Sequence, residues 1–227
     1  MASILCLETS TKMCSVALST ANGVQAYRNH REEGYSHAEK LHVLIQEVLD
    51  EAGLTARELD AVAVAKGPGS FTGLRIGVST AKGLAYAWNT RLVTCTSLDV
   101  LADGARADGK SAEVIVGMLD ARRMEVYTQS YEHDSANDTL RALVVKEGAF
   151  DHLHGRTVHF CGDGALKCAD LLAREGWSFA ERFPEARHMH TRMQQAYAAA
   201  RFEDVAYFEP FYLKDFIAGK PKPSPFT

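Results

Sequence analysis

Nowhere does this chain offer an apolar run long enough for a membrane-spanning helix, which excludes a helical membrane protein. Its start, Met1-Ala-Ser-Ile-Leu-Cys-Leu-Glu8, lacks a basic segment and a long apolar one, so no secretory signal is expected. No Cys-x-x-Cys pair occurs among the five cysteines, Cys6, Cys14, Cys95, Cys161 and Cys168. Their odd number and apolar surroundings exclude a disulfide framework and predict buried free thiols in a reducing, cytoplasmic setting. His-x-x-x-His is missing too. His37 and His42 are five positions apart, so on a helix they point about 140° away from each other and cannot hold one metal together. His188, His190, His152, His154 and His159 are scattered, and each reads as a surface or capping histidine. No metal site is expected.

A marked excess of either charge is also absent. The 227 residues carry 25 Lys and Arg against 29 Asp and Glu, a formal net charge of −4. Nucleic acid held by this chain alone would need a clustered basic surface, so nucleic-acid binding by the isolated chain should be weak. A nucleophile elbow is excluded as well, since Gly69-Ser70-Phe71 lacks the glycine required two residues after the serine. The remaining composition, 46% hydrophobic and 24% charged, is that of a globular protein able to form one large domain or two lobes.

What the chain does have is concentrated in one loop. Lys66-Gly-Pro-Gly-Ser-Phe-Thr-Gly-Leu-Arg-Ile-Gly77 follows the apolar run Ala61-Val-Ala-Val-Ala65. The run reads as a buried strand. Proline fixes φ and glycine tolerates positive φ, so a sharp turn follows, and helix is predicted over 72–88. A strand, a glycine-rich turn and a helix N-terminus form either an anion-binding device or simply a tight βα turn. Ser70, Thr72 and Arg75 are the donors it offers. Within the helix only Arg75 and Lys82 are charged. Gly73, Gly77, Ala81 and Ala85 fall at i, i+4 spacing, with Leu74, Val78, Leu84 and Trp88 on adjoining faces. A helix apolar all round is covered all round, either by a partner or by the chain's own first helix. These eight are the interface candidates.

Around this loop the elements repeat. Residues 3–9, 14–19 and 24–28 read as an antiparallel meander with Asn22-Gly23 at one turn. Ser36-His-Ala-Glu39 matches a capping box that opens a helix with an apolar stripe from Leu41 to Leu49, ended by Gly53. After the glycine loop and its helix come a strand at 91–96 and a helix from Ser97. Strands at 113–120, 125–131 and 140–145 then open a second half. A helix at 148–154, a strand at 157–161 and a helix at 165–174 complete it. Both halves read βββ-α-β-α, with Glu8 and Asp120 each ending a first strand. Predicted boundaries are 1–102 for the first lobe, with a returning helix at about 189–203, 103–188 for the second lobe, and 204–227 for a tail that is extended at Lys220-Pro-Lys-Pro-Ser-Pro225.

Two tandem ribonuclease H-like βββαβα units make the α/β, two-lobed fold of the actin-like ATPases, which include sugar kinases and Hsp70. The motifs are more specific. Ile4-Leu-Cys-Leu-Glu-Thr-Ser-Thr11, the glycine loop, Asp120-Ala-Arg-Arg-Met-Glu-Val-Tyr127, Gly162-Asp-Gly-Ala165 and Tyr212-Leu-Lys214 occur in that order. Together they closely resemble the bacterial TsaB family, also called YeaZ. The resemblance implies a noncatalytic paralogue that pairs with a TsaD-like protein through first-lobe helices and activates it. That complex forms N6-threonylcarbamoyladenosine (t6A) at position 37 of tRNAs reading ANN codons, with a TsaE-like ATPase completing it. It implies tRNA contact only through the complex, a homodimer when the partner is absent, and ATP or ADP at a shared interface rather than tightly held by the isolated chain. Candidate contacts to such an anion are Ser70, Thr72 and Arg75 in the loop and Asp120, Arg122 and Glu125 in the second-lobe hairpin, which otherwise reads as a solvated tip. The enzyme alternative is a small-molecule kinase or ATPase using the interlobe cleft. Against it stands the first turn, Glu8-Thr-Ser-Thr11, where such kinases carry an Asp-x-Gly-Thr pattern. A third reading is a homodimer with no nucleotide role.

Overall fold

The computed structural model describes residues 2–31, 37–133 and 135–214. Ser36 of the expected capping box and the proline-rich run at 220–225 lie outside these residues.

The described residues up to Ala65 fold much as their patterning dictates. Alternating and apolar runs become β1 (Ile4–Glu8), β2 (Met13–Thr20), β3 (Gly23–Arg31) and β4 (Ala61–Ala65), and β5 (Arg91–Cys95) completes the sheet. The strand order is β3-β2-β1-β4-β5, with β1, β4 and β5 parallel and the meander antiparallel. Helices α1 (His37–Ala52) and α2 (Phe71–Trp88) cover one face through Leu41, Ile45, Val48, Val78 and Ala81. Helix α5 (His190–Ala198) returns to cover the other face with Met193 and Ala196. Gln194 on α5 also holds both backbone groups of Ala2.

The second sheet runs β11-β10-β6-β7-β8, with β9 also paired to β7. Its strands are β6 (Val114–Asp120), β7 (Glu125–Glu132), β8 (Ser135–Ala136), β9 (Arg141–Val144), β10 (Val158–Cys161) and β11 (Trp177–Ala180). Here the expected helices shrink. Residues 148–154 form only a 3₁₀ turn, Asp151–Leu153, and residues 165–174 form a 3₁₀ turn plus α4 (Ala169–Leu172). Phe150 and Leu153 bury one turn's worth of apolar surface, and the chain must re-enter the sheet at Val158. The short edge strands β8 and β11 are absent from the sequence reading. Strand β11 is pinned by Phe179 stacked on Phe160 at 4.8 Å.

Helix α3 (Ser97–Ala107) starts at the end of β5 yet lays Leu98, Leu101, Ala102 and Ala105 on the second sheet. It therefore runs across the expected 102/103 division. Its outer side grips α5, where Arg192 donates to both carboxylate oxygens of Asp103 and sits 3.7 Å from Asp99. The C-terminal ends of β1 and β6 each lead into the turn of a hairpin.

Candidate functional site

The glycine loop is seated on the first hairpin. Ser70 caps α2, its Oγ accepting from the Gly73 amide at 3.2 Å. The Ser70 amide donates to the Ser10 carbonyl at 2.6 Å. Side chains are excluded where the two segments meet: a Cβ on Gly69 would lie 2.3 Å from the Ser10 oxygen, and one on Gly73 would lie 2.1 Å from that of Thr9. Thr9 Oγ1 closes the contact by donating to the Gly73 carbonyl at 2.8 Å. Thr72 and Arg75 are exposed, and the Arg75 guanidinium lies 4.3 Å over the Phe71 ring.

Glu8, at the end of β1, has no exposed surface. Its Oε1 accepts from the Ser10 amide at 2.6 Å and so caps the hairpin turn. Burial pushes its pKa up to about 7, against the pull of the Ser10 and Thr9 amides and the Ser10 and Ser97 hydroxyls. Those hydroxyls and Glu8 Oε2 lie outside ordinary hydrogen-bond geometry.

In the second lobe, Asp120 Oδ1 accepts from the Arg122 amide at 2.9 Å and pairs with Lys167, while its own amide donates to Asp163. Lys167 also donates to the carbonyls of Arg123 and Glu125, both at 2.7 Å. Glu125 pairs with Lys214 at 2.5 Å. Arg122 and Arg123 stand exposed at the tip with φ of 71° and 49°. Two consecutive non-glycine residues in that region cost about 1–2 kcal/mol each.

Residues 202–214 bring the two candidate groups into one region. Glu203 bridges to Leu92 at the edge of β5, Lys82 holds the carbonyls of Ala206 and Phe208, and the Phe211 amide donates to Lys66. Tyr212 then packs on Phe71 with ring centroids 5.0 Å apart, and Lys214 reaches Glu125. Sequence reasoning missed Lys167, Asp163 and Lys214 as partners. Asp163 and Lys214 belong to motifs already singled out, but pairings 43 and 89 residues apart carry no local signal.

The interface stripe requires a correction. Gly73, Leu74, Gly77, Val78, Ala81 and Ala85 are buried within the first lobe: Val78, Ala81 and Ala85 lie in the core with the strands and α1, Gly73 and Gly77 pack on Thr9, and Leu74 lies against Gly67. Leu84 and Trp88 are half-buried, and Arg57 lies 5.2 Å over the Trp88 ring. The outward face of α2 consists of Thr72, Arg75, Ser79, Gly83, Tyr86 and Ala87. One of the scattered histidines differs from the surface or capping expectation: His159 is buried on β10 beside Ser178. His37 is also buried and donates to the Thr11 carbonyl. His188 and His190 sit in a 3₁₀ turn and at the start of α5. All five cysteines are buried and free, and burial raises every thiol pKa.

Two sheets of this topology, with hairpin turns at the ends of β1 and β6, define an actin-like α/β protein. A structure of inorganic polyphosphate/ATP-glucomannokinase from Arthrobacter sp. strain KM shares this fold, with a TM-score of 0.50 at 8% identity over 87% of this chain and 100% of that one. Residues 31–207 match the family model described as TsaD, tRNA N6-adenosine threonylcarbamoyltransferase. The tRNA threonylcarbamoyladenosine biosynthesis protein TsaB of Escherichia coli (strain K12) is 31% identical over 234 residues, covering 97% of this chain and 98% of that protein. The structure of YeaZ from Pseudomonas aeruginosa superposes with a TM-score of 0.84 at 27% identity, over 94% of this chain and all of that one. The chain belongs to the TsaB (YeaZ) family of tRNA threonylcarbamoyladenosine biosynthesis proteins.

Proposed function

We propose that this chain is a noncatalytic subunit, the partner and activator of a TsaD-like threonylcarbamoyltransferase that forms t6A at position 37 of tRNAs reading ANN codons. The observation that carries this reading is the fate of the two strand-end acids. A phosphotransferase needs a carboxylate open to the cleft for a hydrated cation, and a glycine beside it for close phosphate approach. Here Glu8 is buried against its own turn and Asp120 is paired with Lys167. Neither turn, Glu8-Thr-Ser-Thr11 or Asp120-Ala-Arg-Arg123, contains glycine. The surface offered to the partner is the outward side of the first-lobe helices, where Val43 of α1 and Tyr86 of α2 are exposed. The same surface pairs two copies when the partner is absent. A TsaE-like ATPase completes the assembly, and tRNA is met only through it.

Purifying the chain with the TsaD-like protein of its host tests this. Formation of t6A should require both proteins. The chain alone should hydrolyse ATP far below the usual enzyme range of about 1–10³ s⁻¹, and turnover within that range would favour the kinase alternative. ATP or ADP is bound at a site shared with the partner, using Thr72, Arg75 and Arg122. Arg122→Ala should then lower nucleotide retention by the complex several-fold while leaving the circular dichroism of the free chain unchanged. Full retention by that variant would reject the shared site.

A further inference from the structure

Beneath the glycine loop lies a buried polar group that the proposed function leaves unused. Glu8 Oε2, Ser10 Oγ and Ser97 Oγ are all buried and without a hydrogen-bond partner of ordinary geometry. Such atoms are uncommon in folded proteins. They come from three places: the end of β1, the turn after it and the first turn of α3. The loop rests on the same residues. The Ser10 carbonyl accepts from the Ser70 amide, and the Ser97 amide donates to the Gly67 carbonyl at 3.0 Å. Both ends of the loop are thus bonded to the two residues whose hydroxyls act on the Glu8 carboxyl.

We propose that Glu8 is a positioning residue whose ionisation, acting through Ser10 and Ser97, sets the glycine loop and the first turn of α2. Serine hydroxyls rotate to suit their surroundings. When Glu8 is charged, both hydroxyls turn their protons toward Oε2, and the Ser10 amide makes a charge-assisted bond to Oε1. When Glu8 is neutral, its own proton is donated to a hydroxyl and the Ser10 bond weakens. The Ser10 carbonyl moves with that turn, and it is the acceptor for Ser70. Burial raises the carboxyl into the neutral range, so both states are populated under ordinary conditions.

Neighbouring groups do not compete for this role. Among the described residues, Cys14 on β2 and Cys95 at the end of β5 feel the Glu8 charge, and burial keeps both thiols neutral. On α3, Asp99 is engaged by the Thr96 amide. Arg75 of α2 lies over Phe71, Lys66 after β4 sits 4.0 Å from Glu203, and His37 of α1 bonds to Thr11.

That the loop serves a nucleotide rests on the function proposed above, but the linkage is read on the free chain, so either idea can fail alone. The experiment follows backbone amide chemical shifts of the ¹⁵N-labelled chain between pH 5.5 and pH 8.5 (a range of about three units centred near the Glu8 transition). In the unmodified chain the Ser10 and Ser70 amides should titrate together, with one midpoint near 7. In Glu8→Gln, which keeps the acceptor and the shape but not the charge, both should be flat while the remaining spectrum stays native. In Ser97→Ala the midpoint should rise, since a hydroxyl that favours the charged form is gone. A Ser70 amide that is flat in the unmodified chain, or that titrates unchanged in Glu8→Gln, overturns the proposal.

Discussion

A carboxyl group with no exposed surface loses the water that would stabilise its charge, and Glu8 is in that position at the end of β1. Its folded pKa stands near 7 against an ordinary value of 4.5. A raised acid pKa means that the folded chain holds the proton more tightly than the unfolded one. The associated stability is fully present below pH 4.5 and is lost as pH rises through about 7. The full difference is about 3 kcal/mol. Glu8→Gln removes the charge and should therefore stabilise the chain at pH 8 by on the order of 3 kcal/mol, with little effect at pH 4. Urea denaturation at the two pH values checks this. Equal effects at both would mean that the carboxylate finds solvation within the turn.

Helix α2 shows how an element-level pattern can be read correctly and still be placed wrongly. Small residues at i, i+4 do mark close packing, but the close neighbour is the hairpin of the same chain, with Thr9 against Gly73 and Gly77. Ala81 has no exposed surface, so Ala81→Glu would bury an unpaired charge and should abolish folding, whatever the partner does. Gly83 is different. It is exposed, and an added Cβ meets nothing within 4 Å. Gly83→Glu should leave the melting temperature unchanged or raised, since glycine disfavours helix by about 1 kcal/mol. The same variant should fail to co-purify with the TsaD-like partner. A folded Gly83→Glu chain that binds normally would remove the outward face of α2 from the interface.

At the scale of the whole molecule, the two lobes are joined where α3 and α5 meet. Arg192 spans Asp99 and Asp103, one helical turn apart on α3, and Tyr131 of the second sheet donates to Asp99. Removing Arg192 leaves Asp103 with Arg106, 3.1 Å away, and Asp99 with the Tyr131 hydroxyl and the Thr96 amide. Arg192→Ala should therefore cost on the order of 2 kcal/mol, the worth of charge-assisted bonds rather than of a stranded charge, and loosen the coupling between the lobes. The two tryptophans provide separate reporters, Trp88 on α2 and Trp177 on β11. In single-tryptophan chains the two unfolding curves should coincide before the change and separate after it. Coincident curves in Arg192→Ala would place the coupling elsewhere, in the contacts of α3 with the second sheet.

Local chemistry determined much of this protein without reference to its fold. Alternation laid out β1 to β3, an apolar stripe marked α1, and the glycine loop announced α2, because each signal acts over a few residues of chain. Motif order carried the family resemblance for the same reason. Burial and partnership were decided only when distant segments met. Ser70 is committed to Ser10, the exposed Asp120 to Lys167 and Glu125 to Lys214, and Thr72, Arg75 and Arg122 are the other exposed members of the six anion candidates. Strand β11 exists because β10 gives four residues a partner and Phe160 gives Phe179 a surface. The apolar helix α2 could equally have faced a second protein. A hairpin more than 60 residues upstream filled that place, and no period or motif within the helix records which surface arrives first.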